Sequence, residues 1–519
     1  MDTDTGPALH ARFLRGLERS PDAPAFEVGT EAPTYAQTHR RAVLWAGALV
    51  RAEARTVGVL AGKGTTAYTG ILAALYAGAA VVPLRPDFPP DRTRRMLDAS
   101  EATAVVADRA GAEALPALTA GRDPVDVLAP EGGPGTLVPE PGHALARPRP
   151  VGPGDPAFLL FTSGSTGRPK GVVVTHGGTD HYFRLLDERY DFGPGDAFSQ
   201  TFDLNFDCAL FDMFCAWGAG ARLVAVPAPA YRDLPTFLAE RRITVWFSTP
   251  SAIGLVRRTG RLGAASIPGL RWSFFAGEAL QCGDAADWER AAPASALENL
   301  YGPTELTVTV TAHRWSADVS PRRAVNGVVP VGAPHPGHEL LLLDGDGRPA
   351  ADEGELCVTG PQLTPGYLDP DDGRDRFLHH DALVWYRTGD RVRRLEDGEL
   401  LYLGRLDTQV QVHGWRVELA EVDHALRACP GVEEAATVGV ATDSGTELFA
   451  FYTGTPTPPA ELARGLRRTL PEGVVPRHYR HLDVLPLNPN RKVDRSALTA
   501  RAGELLARHG RAVPEASAH

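Results

Sequence analysis

The chain has 519 residues, of which 43% are hydrophobic and 23% charged, with a formal net charge of −11. This length exceeds one ordinary domain, and the composition is typical of a globular protein with a large core. The acidic balance argues against a nucleic-acid protein held by phosphate contacts, and no apolar run is long enough to span a membrane. The N-terminus lacks a signal-peptide pattern and the five cysteines are scattered, which together predict a cytoplasmic protein with reduced thiols.

The first half of the chain alternates apolar runs with helix-like segments. Apolar runs at residues 57–61 and 80–83 flank a helical pattern at 66–77, which is the order of a βαβ unit. Residues 125–151 are rich in Pro and Gly and predict a connecting loop. Further strand-like runs lie at residues 104–107, 158–161, 222–226, 244–248 and 272–275. The sequence therefore predicts an α/β fold with several packed sheets.

The pattern changes near Gly337. Strand-like runs at residues 339–343 and 354–359 follow without a long helix between them, which predicts a β-rich subdomain from about residue 337. A small α+β portion then follows Asp407. We therefore predict an N-terminal core over residues 1–406 and a small C-terminal domain over residues 407–519.

The chain uses arginine far more often than lysine. Lys63, Lys170 and Lys492 are its three lysines, against fifty arginines. If the composition favours Arg wherever either residue serves, a surviving lysine marks a place that needs a compact ammonium rather than a planar guanidinium. Each lysine is therefore a candidate for chemistry, and the alternative for each is chance survival at the surface.

The strongest local signal is FTSGSTGRPKG at residues 161–171. Glycines let the backbone approach an anion, amides and hydroxyls can surround phosphates, and Lys170 adds a point charge. The segment is not a Walker loop, because the lysine follows Pro169 and Gly171 stands where Ser or Thr would bind magnesium. It also leads into a strand-like run rather than a helix. The segment predicts a phosphate-binding loop of another kind.

Further motifs follow in a fixed order along the chain. They are LYAGAAVVP at 75–83, NLYGPTE at 299–305, YRTGD at 386–390, GRLD at 404–407 and LPLNPNRKVDR at 485–495. Together with the glycine-rich segment, they make nearly the whole chain resemble the adenylate-forming family of nonribosomal peptide adenylation domains, acyl-CoA synthetases and luciferase. The resemblance implies ATP and Mg²⁺ as cofactors and a mobile C-terminal domain.

The resemblance also implies an ATP site, residue by residue. Tyr301 would stack on adenine, Asn299 would bond the exocyclic amine, and Asp390 would accept both ribose hydroxyls. Glu305 would hold Mg²⁺, a cation that prefers oxygen ligands. The positions implied to bind ATP are Thr162, Ser163, Gly164, Ser165, Thr166, Asn299, Tyr301, Gly302, Thr304, Asp390, Tyr402 and Arg405.

Lys492 is implied to be the main catalytic residue, with Glu305 and Lys170 beside it. In the family this lysine bridges the substrate carboxylate and the α-phosphate, where preorganised positive charge stabilises the transition state. Asp407 resembles the hinge about which the C-terminal domain rotates. His413 departs from the family pattern, since many relatives carry Arg there. Lys63 is assigned no role and is predicted to be a loop lysine.

The segment FDLNFDCALFDMF at residues 202–214 resembles the substrate-binding helix of amino-acid-activating members. Asp207 falls where those members pair an aspartate with the α-ammonium group, and Asp203 and Asp212 are competing carboxylates. Asp212 is otherwise expected on a solvated helix face. The other pocket positions are Cys208, Phe211, Phe247, Phe274, Ala276, Leu300, Val308 and Thr309. An uncharged set with three phenylalanines predicts a small or medium apolar amino acid, and the alternative is that these rings form core behind the pocket. Because the region resembles that of free-standing prolyl-activating enzymes, L-proline is the first substrate to expect, followed by small aliphatic residues or threonine.

The predicted function is that of a stand-alone ligase in natural-product biosynthesis, such as antibiotic assembly. It would form an aminoacyl adenylate and pass the aminoacyl group to the phosphopantetheine thiol of a separate carrier protein. The 27 residues after Lys492 are too few for a carrier domain, so the thiol is expected from another chain or from coenzyme A. An acid–CoA ligase is the first alternative. A catalytically idle adenylate-binding protein is the second, and the retained Lys170, Glu305, Asp390 and Lys492 disfavour it.

Overall fold

The chain divides into two units. The first unit is Met1–Thr162 with Lys170–Leu406, and the second is Ser163–Pro169 with Asp407–His519. The structure is a computed structural model, and it describes residues 6–130, 136–164, 168–407, 409–442, 445–487 and 493–510.

The first sheet of the first unit is made of apolar strands joined by helices. In chain order, the elements of residues 6–189 are α1 (Ala11–Arg19), β1 (Phe26–Glu27), α2 (Tyr35–Arg51), β2 (Thr56–Leu60), α3 (Thr65–Tyr76), β3 (Ala80–Leu84), α4 (Pro90–Ala99), β4 (Ala104–Ala107), α5 (Arg109–Thr119), β5 (Asp126–Leu128), β6 (Pro156–Thr162), β7 (Lys170–Thr175) and α6 (His176–Arg189). The strand order is β5-β4-β2-β3-β6-β7. Strands β2, β3 and β4 are almost wholly apolar because parallel strands covered on both faces meet little water.

The second sheet carries the helix that the sequence singled out for substrate. Its elements continue as β8 (Ala197–Gln200), α7 (Cys208–Ala219), β9 (Arg222–Ala225), α8 (Leu234–Glu240), β10 (Val245–Ser248), α9 (Ser251–Arg258), β11 (Trp272–Phe275), α10 (Cys282–Ala291), β12 (Ala296–Tyr301), β13 (Thr311–Arg314), α11 (Ser320–Arg323) and β14 (Ala333–Pro334). The strand order is β1-β9-β8-β10-β11-β12-β13-β14. Helix α7 is buried along its whole length, which explains why its sequence is apolar on every face except for Asp212.

The β-rich part of the first unit is antiparallel. It comprises β15 (Glu339–Leu343), β16 (Pro349–Ala350), β17 (Glu353–Thr359), β18 (Phe377–His380), β19 (Leu383–Arg394) and β20 (Leu400–Arg405). The order is β16-β15-β17-β19-β18, with β20 also paired to β19. The pairing of β19 with β20 sets Asp390 directly opposite Arg405. This confirms the predicted β-rich subdomain.

The second unit is a small α+β unit. Its elements are β21 (Gln409–Val412), β22 (Trp415–Glu418), α12 (Leu419–Arg427), β23 (Val432–Thr442), β24 (Gly445–Gly454), α13 (Pro459–Leu466), β25 (His478–His481) and α14 (Arg495–Gly510). His413 and Gly414 form the two-residue turn between β21 and β22, with φ of 48° and 84°. Positive φ at both positions is the requirement of a type I′ hairpin, so His413 has a local conformational role in this chain.

The predicted α/β class is confirmed, with one local correction. Residues 125–151 were predicted to be a loop, but Asp126–Leu128 forms β5 and pairs in parallel with β4. Such a three-residue edge strand is hidden in the sequence by the surrounding Pro and Gly. Among the residues that the structure describes, no helix is both long and apolar enough to cross a membrane.

Helix α1 packs closely against helix α7. The Nε atoms of Arg12 and Arg15 donate to the carbonyl oxygens of Phe214 and Gly218, each at 2.7 Å. A Cβ added at Gly16 would lie 2.1 Å from the carbonyl oxygen of Trp217. Because that oxygen belongs to a buried helix backbone, it cannot move aside cheaply. Gly16 therefore sets how closely the two helices approach.

We expect Gly16→Ala to lower the free energy of unfolding of the first unit by about 1–3 kcal/mol, the usual cost of overpacking. Gly283→Ala is the matched control, since Gly283 is also helical and a Cβ there meets nothing within 4 Å. The control should be neutral or slightly stabilising, because Ala has the higher helix propensity. Denaturant unfolding followed by tryptophan fluorescence measures both, and equal midpoints would contradict the close approach.

Candidate functional site

The loop between β12 and β13 is the centre of the candidate site. It contains the GPTE segment and then two residues with left-handed backbone, Thr307 (φ 55°) and Val308 (φ 71°). Both are β-branched, so this conformation is strained. The loop folds back on itself so tightly that a Cβ at Gly302 would lie 2.6 Å from the Cα of Thr309. Glycine is therefore required at position 302 for close approach.

Gln362 holds this strained turn from outside the loop. Its side chain is fully buried, and its Nε2 donates to the carbonyl oxygens of Leu306, Thr307 and Thr309 at 2.9–3.0 Å. In return, the Thr307 hydroxyl donates to the Gln362 carbonyl oxygen at 2.8 Å. These bonds stabilise the turn, because the carbonyl oxygens of Leu306, Thr307 and Thr309 share the two hydrogens of one buried amide. Sequence reasoning missed Gln362, since it lies 55 residues from the turn.

Glu305 sits at the start of the same turn and is buried. One of its carboxylate oxygens accepts a hydrogen bond of 2.6 Å from the Tyr367 hydroxyl. The Lys170 ammonium lies 5.8 Å from the centroid of the Tyr367 ring, within the range of a cation–π interaction, and 3.9 Å from Asp372. Tyr367 thus links the predicted metal ligand to the predicted phosphate-binding lysine. The sequence analysis did not identify it.

The predicted nucleotide residues form a hydrogen-bonded group. Tyr301 donates to one oxygen of Asp390 at 2.6 Å, and Arg405 donates to the other at 2.8 Å. Burial, followed by the charge of Asp390, raises the pKa of Tyr301 well above its usual value, so the phenol stays protonated as a donor. Asn299 directs its side-chain NH₂ to the Pro330 carbonyl oxygen at 2.9 Å. This fixes its Oδ1 as the acceptor that an exocyclic amine would need.

Asp207 is the N-cap residue of α7 and is buried beside the Glu305 turn. Burial raises the pKa of Asp207 to about 6. The Thr304 hydroxyl and the Cys208 backbone amide favour the ionised form, whereas the charge of Glu305 disfavours it. The groups that act most on this pKa in the described part of the chain therefore include no cation. A ligand ammonium would supply the missing positive charge.

Three phenylalanines of the predicted pocket pack against one another. The ring of Phe211 lies 4.8 Å from that of Phe247 and 5.2 Å from that of Phe274, centroid to centroid. All three are at most 1% exposed. The other predicted pocket positions are also buried: Cys208, Ala276, Leu300, Val308 and Thr309. All three rings belong to the main hydrophobic core cluster of the first unit, so their role as pocket walls stays a prediction.

The hydroxyl of Thr309 is engaged on the side of helix α6. Its Oγ1 lies 3.0 Å from the Tyr182 hydroxyl and 3.5 Å from Nε2 of His335. Burial lowers the pKa of His335 to about 3, so its ring is neutral at physiological pH. The polar atom of Thr309 is therefore used within the protein, which agrees with an apolar pocket.

The predicted site residues fall into three groups. Most of the ATP positions and all of the predicted substrate positions lie in the first unit. Ser163, Gly164 and Asp407 belong to the second unit, where the Ser163 hydroxyl donates to the Arg416 carbonyl oxygen at 2.5 Å. Lys492, Ser165 and Thr166 lie outside the described residues, so their roles, like the hinge at Asp407, stay predictions.

One expectation about a charged residue was wrong and another was incomplete. Asp212 was expected on a solvated helix face, but it is 1% exposed on α7. Lys63 lies in the loop between β2 and α3, as predicted, but its ammonium also donates to two backbone carbonyl oxygens and its side chain is only 17% exposed. Both findings have one cause: a polar residue in a sequence does not reveal a partner elsewhere in the chain.

Comparison with protein families gives a match to both parts of the chain. The model described as AMP-binding enzyme matches residues 13–368, and the model described as AMP-binding enzyme C-terminal domain matches residues 421–492. The chain belongs to the AMP-binding enzyme family. The predicted resemblance to adenylate-forming enzymes is thereby confirmed.

Individual relatives of this AMP-binding enzyme agree. An L-proline–[L-prolyl-carrier protein] ligase of Streptomyces coelicolor is 35% identical, covering 91% of this chain and 92% of that protein. The crystal structure of IdnL7 is 60% identical with a TM-score of 0.76, covering 96% of this chain and 99% of that one. The Vibrio cholerae adenylation domain AlmE, solved with glycyl-adenosine-5'-phosphate, is 26% identical with a TM-score of 0.85, covering 97% and 98%. Other curated relatives are longer, and this chain spans 45% and 43% of two of them.

We expect Gln362→Leu to lower the free energy of unfolding of the first unit by about 2–4 kcal/mol, because it leaves buried carbonyl groups of a strained turn without a donor. Gln281→Leu is the control, since Gln281 is exposed and its loss should cost less than about 0.5 kcal/mol. Denaturant unfolding of the two variants decides. A Gln362→Leu variant as stable as the control would show that the turn does not depend on this side chain.

Proposed function

We propose that this AMP-binding enzyme activates an amino acid with ATP and loads it onto a carrier protein. The substrate carboxylate attacks the α-phosphorus of ATP, the bond to the β-phosphate breaks, and pyrophosphate leaves. The thiol of a carrier-bound phosphopantetheine then attacks the carbonyl carbon of the aminoacyl adenylate, and AMP leaves with the electron pair of the broken C–O bond. The cytoplasmic location and a role in natural-product assembly stay predictions.

The observation that carries the proposal is the environment of Asp207. It is a buried carboxyl beside a second carboxylate, Glu305, and the strongest influences on its pKa in the described chain come from no cation. A buried, uncompensated carboxylate is costly, and an α-ammonium group would compensate it. A plain carboxylic acid substrate offers no such charge. The site therefore favours an amino acid over the acids of simple CoA ligases.

The remaining roles follow from the contacts of the first unit. Asp390, fixed by Tyr301 and Arg405, would accept the two ribose hydroxyls, and Asn299 would accept the adenine amine. Glu305 fits Mg²⁺, because this ion is usually held by one or two carboxylates together with substrate phosphates. The bound ion would neutralise phosphate charge as pyrophosphate leaves.

The substrate we propose is a small apolar amino acid. Phe211, Phe247 and Phe274 pack against one another and offer no charge, which favours an apolar side chain of small size. Among relatives, one carries the name of an L-proline ligase and another was solved with a glycyl adenylate. Both names refer to amino acids with small side chains. L-Proline stays the first amino acid to test, followed by glycine, L-alanine and L-threonine.

The proposal is tested by ATP–pyrophosphate exchange across glycine, L-alanine, L-proline, L-threonine, L-valine, L-lysine and L-glutamate. We expect exchange with the small apolar members and none with the charged ones. Lys492→Ala should nearly abolish it, because the lysine is proposed to stabilise the charge that develops at the α-phosphate. Asp207→Asn should raise the KM for the amino acid by more than about 30-fold, the cost of breaking a buried ion pair, and leave the KM for ATP unchanged.

Two further comparisons complete this test. Asp390→Asn is the matched control, since it removes a different buried carboxylate and should raise the KM for ATP instead. Supplying coenzyme A or a phosphopantetheinylated carrier protein separately identifies the acceptor. The absence of exchange with every amino acid, while ATP still binds, would overturn the proposed function.

The raised pKa of Asp207 predicts a pH dependence. Because burial places this pKa at about 6, the carboxyl is ionised above that pH and becomes protonated below it. We therefore expect kcat/KM for the amino acid to be constant near pH 8 and to fall about tenfold per pH unit below pH 6, since kcat/KM reports the free enzyme. Exchange rates at ATP and amino acid concentrations well below their KM values measure it, because saturating ATP would report the ATP-bound enzyme instead. In Asp207→Asn the residual activity should lose this step, and a step of equal size in both proteins would assign it to another group.

A further inference from the structure

Lys63 is the lysine that the proposed function leaves without a role. It follows strand β2 of the first sheet, yet its contacts are to the second sheet. Its ammonium donates to the carbonyl oxygens of Gln200 and Thr201, at 3.1 and 2.8 Å, and lies 3.9 Å from a carboxylate oxygen of Asp203. Lys63 therefore binds the backbone at the point where the chain leaves strand β8.

Residues 200–207 form the segment that Lys63 contacts, and this segment ends with Asp207 at the start of helix α7. Beyond Gln200, the last residue of β8, it has no regular secondary structure, so side-chain contacts help to fix its path. The Tyr68 hydroxyl donates to Gln200 at 3.0 Å, and the Thr201 hydroxyl donates to the carbonyl oxygen of the pocket residue Phe247 at 2.5 Å. Arg85, which follows strand β3, pairs with Asp203. Groups from both sheets thus converge on the segment that ends at the proposed ammonium ligand.

Asp212 adds an electrostatic reason for a cation here. It lies five residues beyond Asp207 on α7 and is 1% exposed, and neither carboxyl oxygen meets a described donor at full hydrogen-bonding geometry. Burial raises its pKa, and the charge of Lys63, followed by the Thr201 backbone amide, acts in the opposite direction. Removing a cation that acts on a buried carboxyl group is destabilising. Lys63 therefore bonds two carbonyl oxygens, lies near Asp203 and acts on Asp212 through its charge.

The shape of the ammonium suits this position. An ammonium is a compact point charge with three donors that can point to three separate acceptors, whereas a guanidinium presents its donors in one plane. In a chain with fifty arginines and three lysines, the lysine at this position agrees with such a requirement.

We propose that Lys63 is a positioning residue that sets the path of residues 200–207 and thereby the place of the Asp207 carboxylate. This inference rests on the proposed function, because it concerns the residue that binds the amino acid ammonium. Lys63 acts through the backbone of Gln200 and Thr201 and does not touch the substrate. Its loss should therefore affect amino acid binding far more than ATP binding.

The test uses the full chain and the member of the panel above that gives the fastest exchange with the natural enzyme. We expect Lys63→Met to raise the KM for that amino acid about 10- to 100-fold, the effect of misplacing a binding group by about 1 Å. The KM for ATP should change less than about twofold, because the nucleotide residues lie on other elements. Lys63→Arg should resemble Lys63→Met, because it restores the charge without the geometry.

A double variant separates positioning from stability. Lys63→Met alone leaves Asp212 without its cation and should lower the thermal midpoint. Adding Asp212→Asn removes that buried charge, so Lys63→Met with Asp212→Asn should regain most of the midpoint while the raised KM for the amino acid persists. Arg222→Met is the matched control: Arg222 also bonds one carboxylate and one carbonyl oxygen, those of Glu27 and Arg241, but away from this segment. It should lower stability and leave both KM values unchanged.

Each result has one reading. An unchanged amino acid KM in Lys63→Met, or a KM that recovers together with the midpoint in the double variant, would overturn the positioning role. Full activity in Lys63→Arg would overturn the requirement for an ammonium. If the natural enzyme gives no exchange with any amino acid, the proposed function fails and this inference fails with it, whereas normal exchange with unaffected Lys63 variants refutes this inference alone.

Discussion

The candidate site is governed by negative charge. Asp207, Glu305 and Asp390 are buried carboxyl groups in a site proposed to receive a triphosphate, so each must be compensated without neutralising the whole site. Asp390 is compensated by Tyr301 and Arg405, which donate to its two oxygens. Glu305 accepts from Tyr367, whose ring lies near the Lys170 ammonium. Tyrosine hydroxyls stabilise a carboxylate by hydrogen bonding and add no charge, so the proposed magnesium and ammonium keep their electrostatic advantage.

Asp207 differs from the other two carboxyl groups in that no cation is among the groups that act most on its pKa in the described part of the chain. Burial raises that pKa to about 6, and in the proposed function the substrate ammonium would supply the counter-charge. Binding an amino acid would reverse the shift. Binding of the substrate ammonium would then also neutralise the buried Asp207 carboxylate. This is a physical reason for the site to prefer an amino acid to an acid without an ammonium group.

Much of the fold and site could be predicted from local sequence. Continuous apolar runs identified strands β2, β3 and β4, and the GPTE and TGD segments indicated where Glu305 and Asp390 would lie. What could not be predicted depends on distant pairings. Gln362 and Tyr367 bond to the turn at Glu305 from the β-rich part of the chain. No sequence pattern near either residue indicates that contact. The contacts of Lys63 and the burial of Asp212 could not be predicted for the same reason, since burial of a charge is a property of packing.

The strained turn after Glu305 joins the two halves of the site mechanically. Thr304 and Glu305 precede the strained residues and are predicted to act on the nucleotide and its metal. Val308 and Thr309, at the end of the turn, belong to the predicted amino acid pocket. Because Thr307 and Val308 both hold left-handed backbone and Gln362 bonds carbonyl groups on either side, the turn has few ways to relax. A substitution at Val308 or Thr309 should therefore affect the position of Glu305 as well as the size of the substrate that fits. Phe211 and Phe274 lie on a helix and a strand instead, so they can set pocket volume without disturbing the proposed metal ligand.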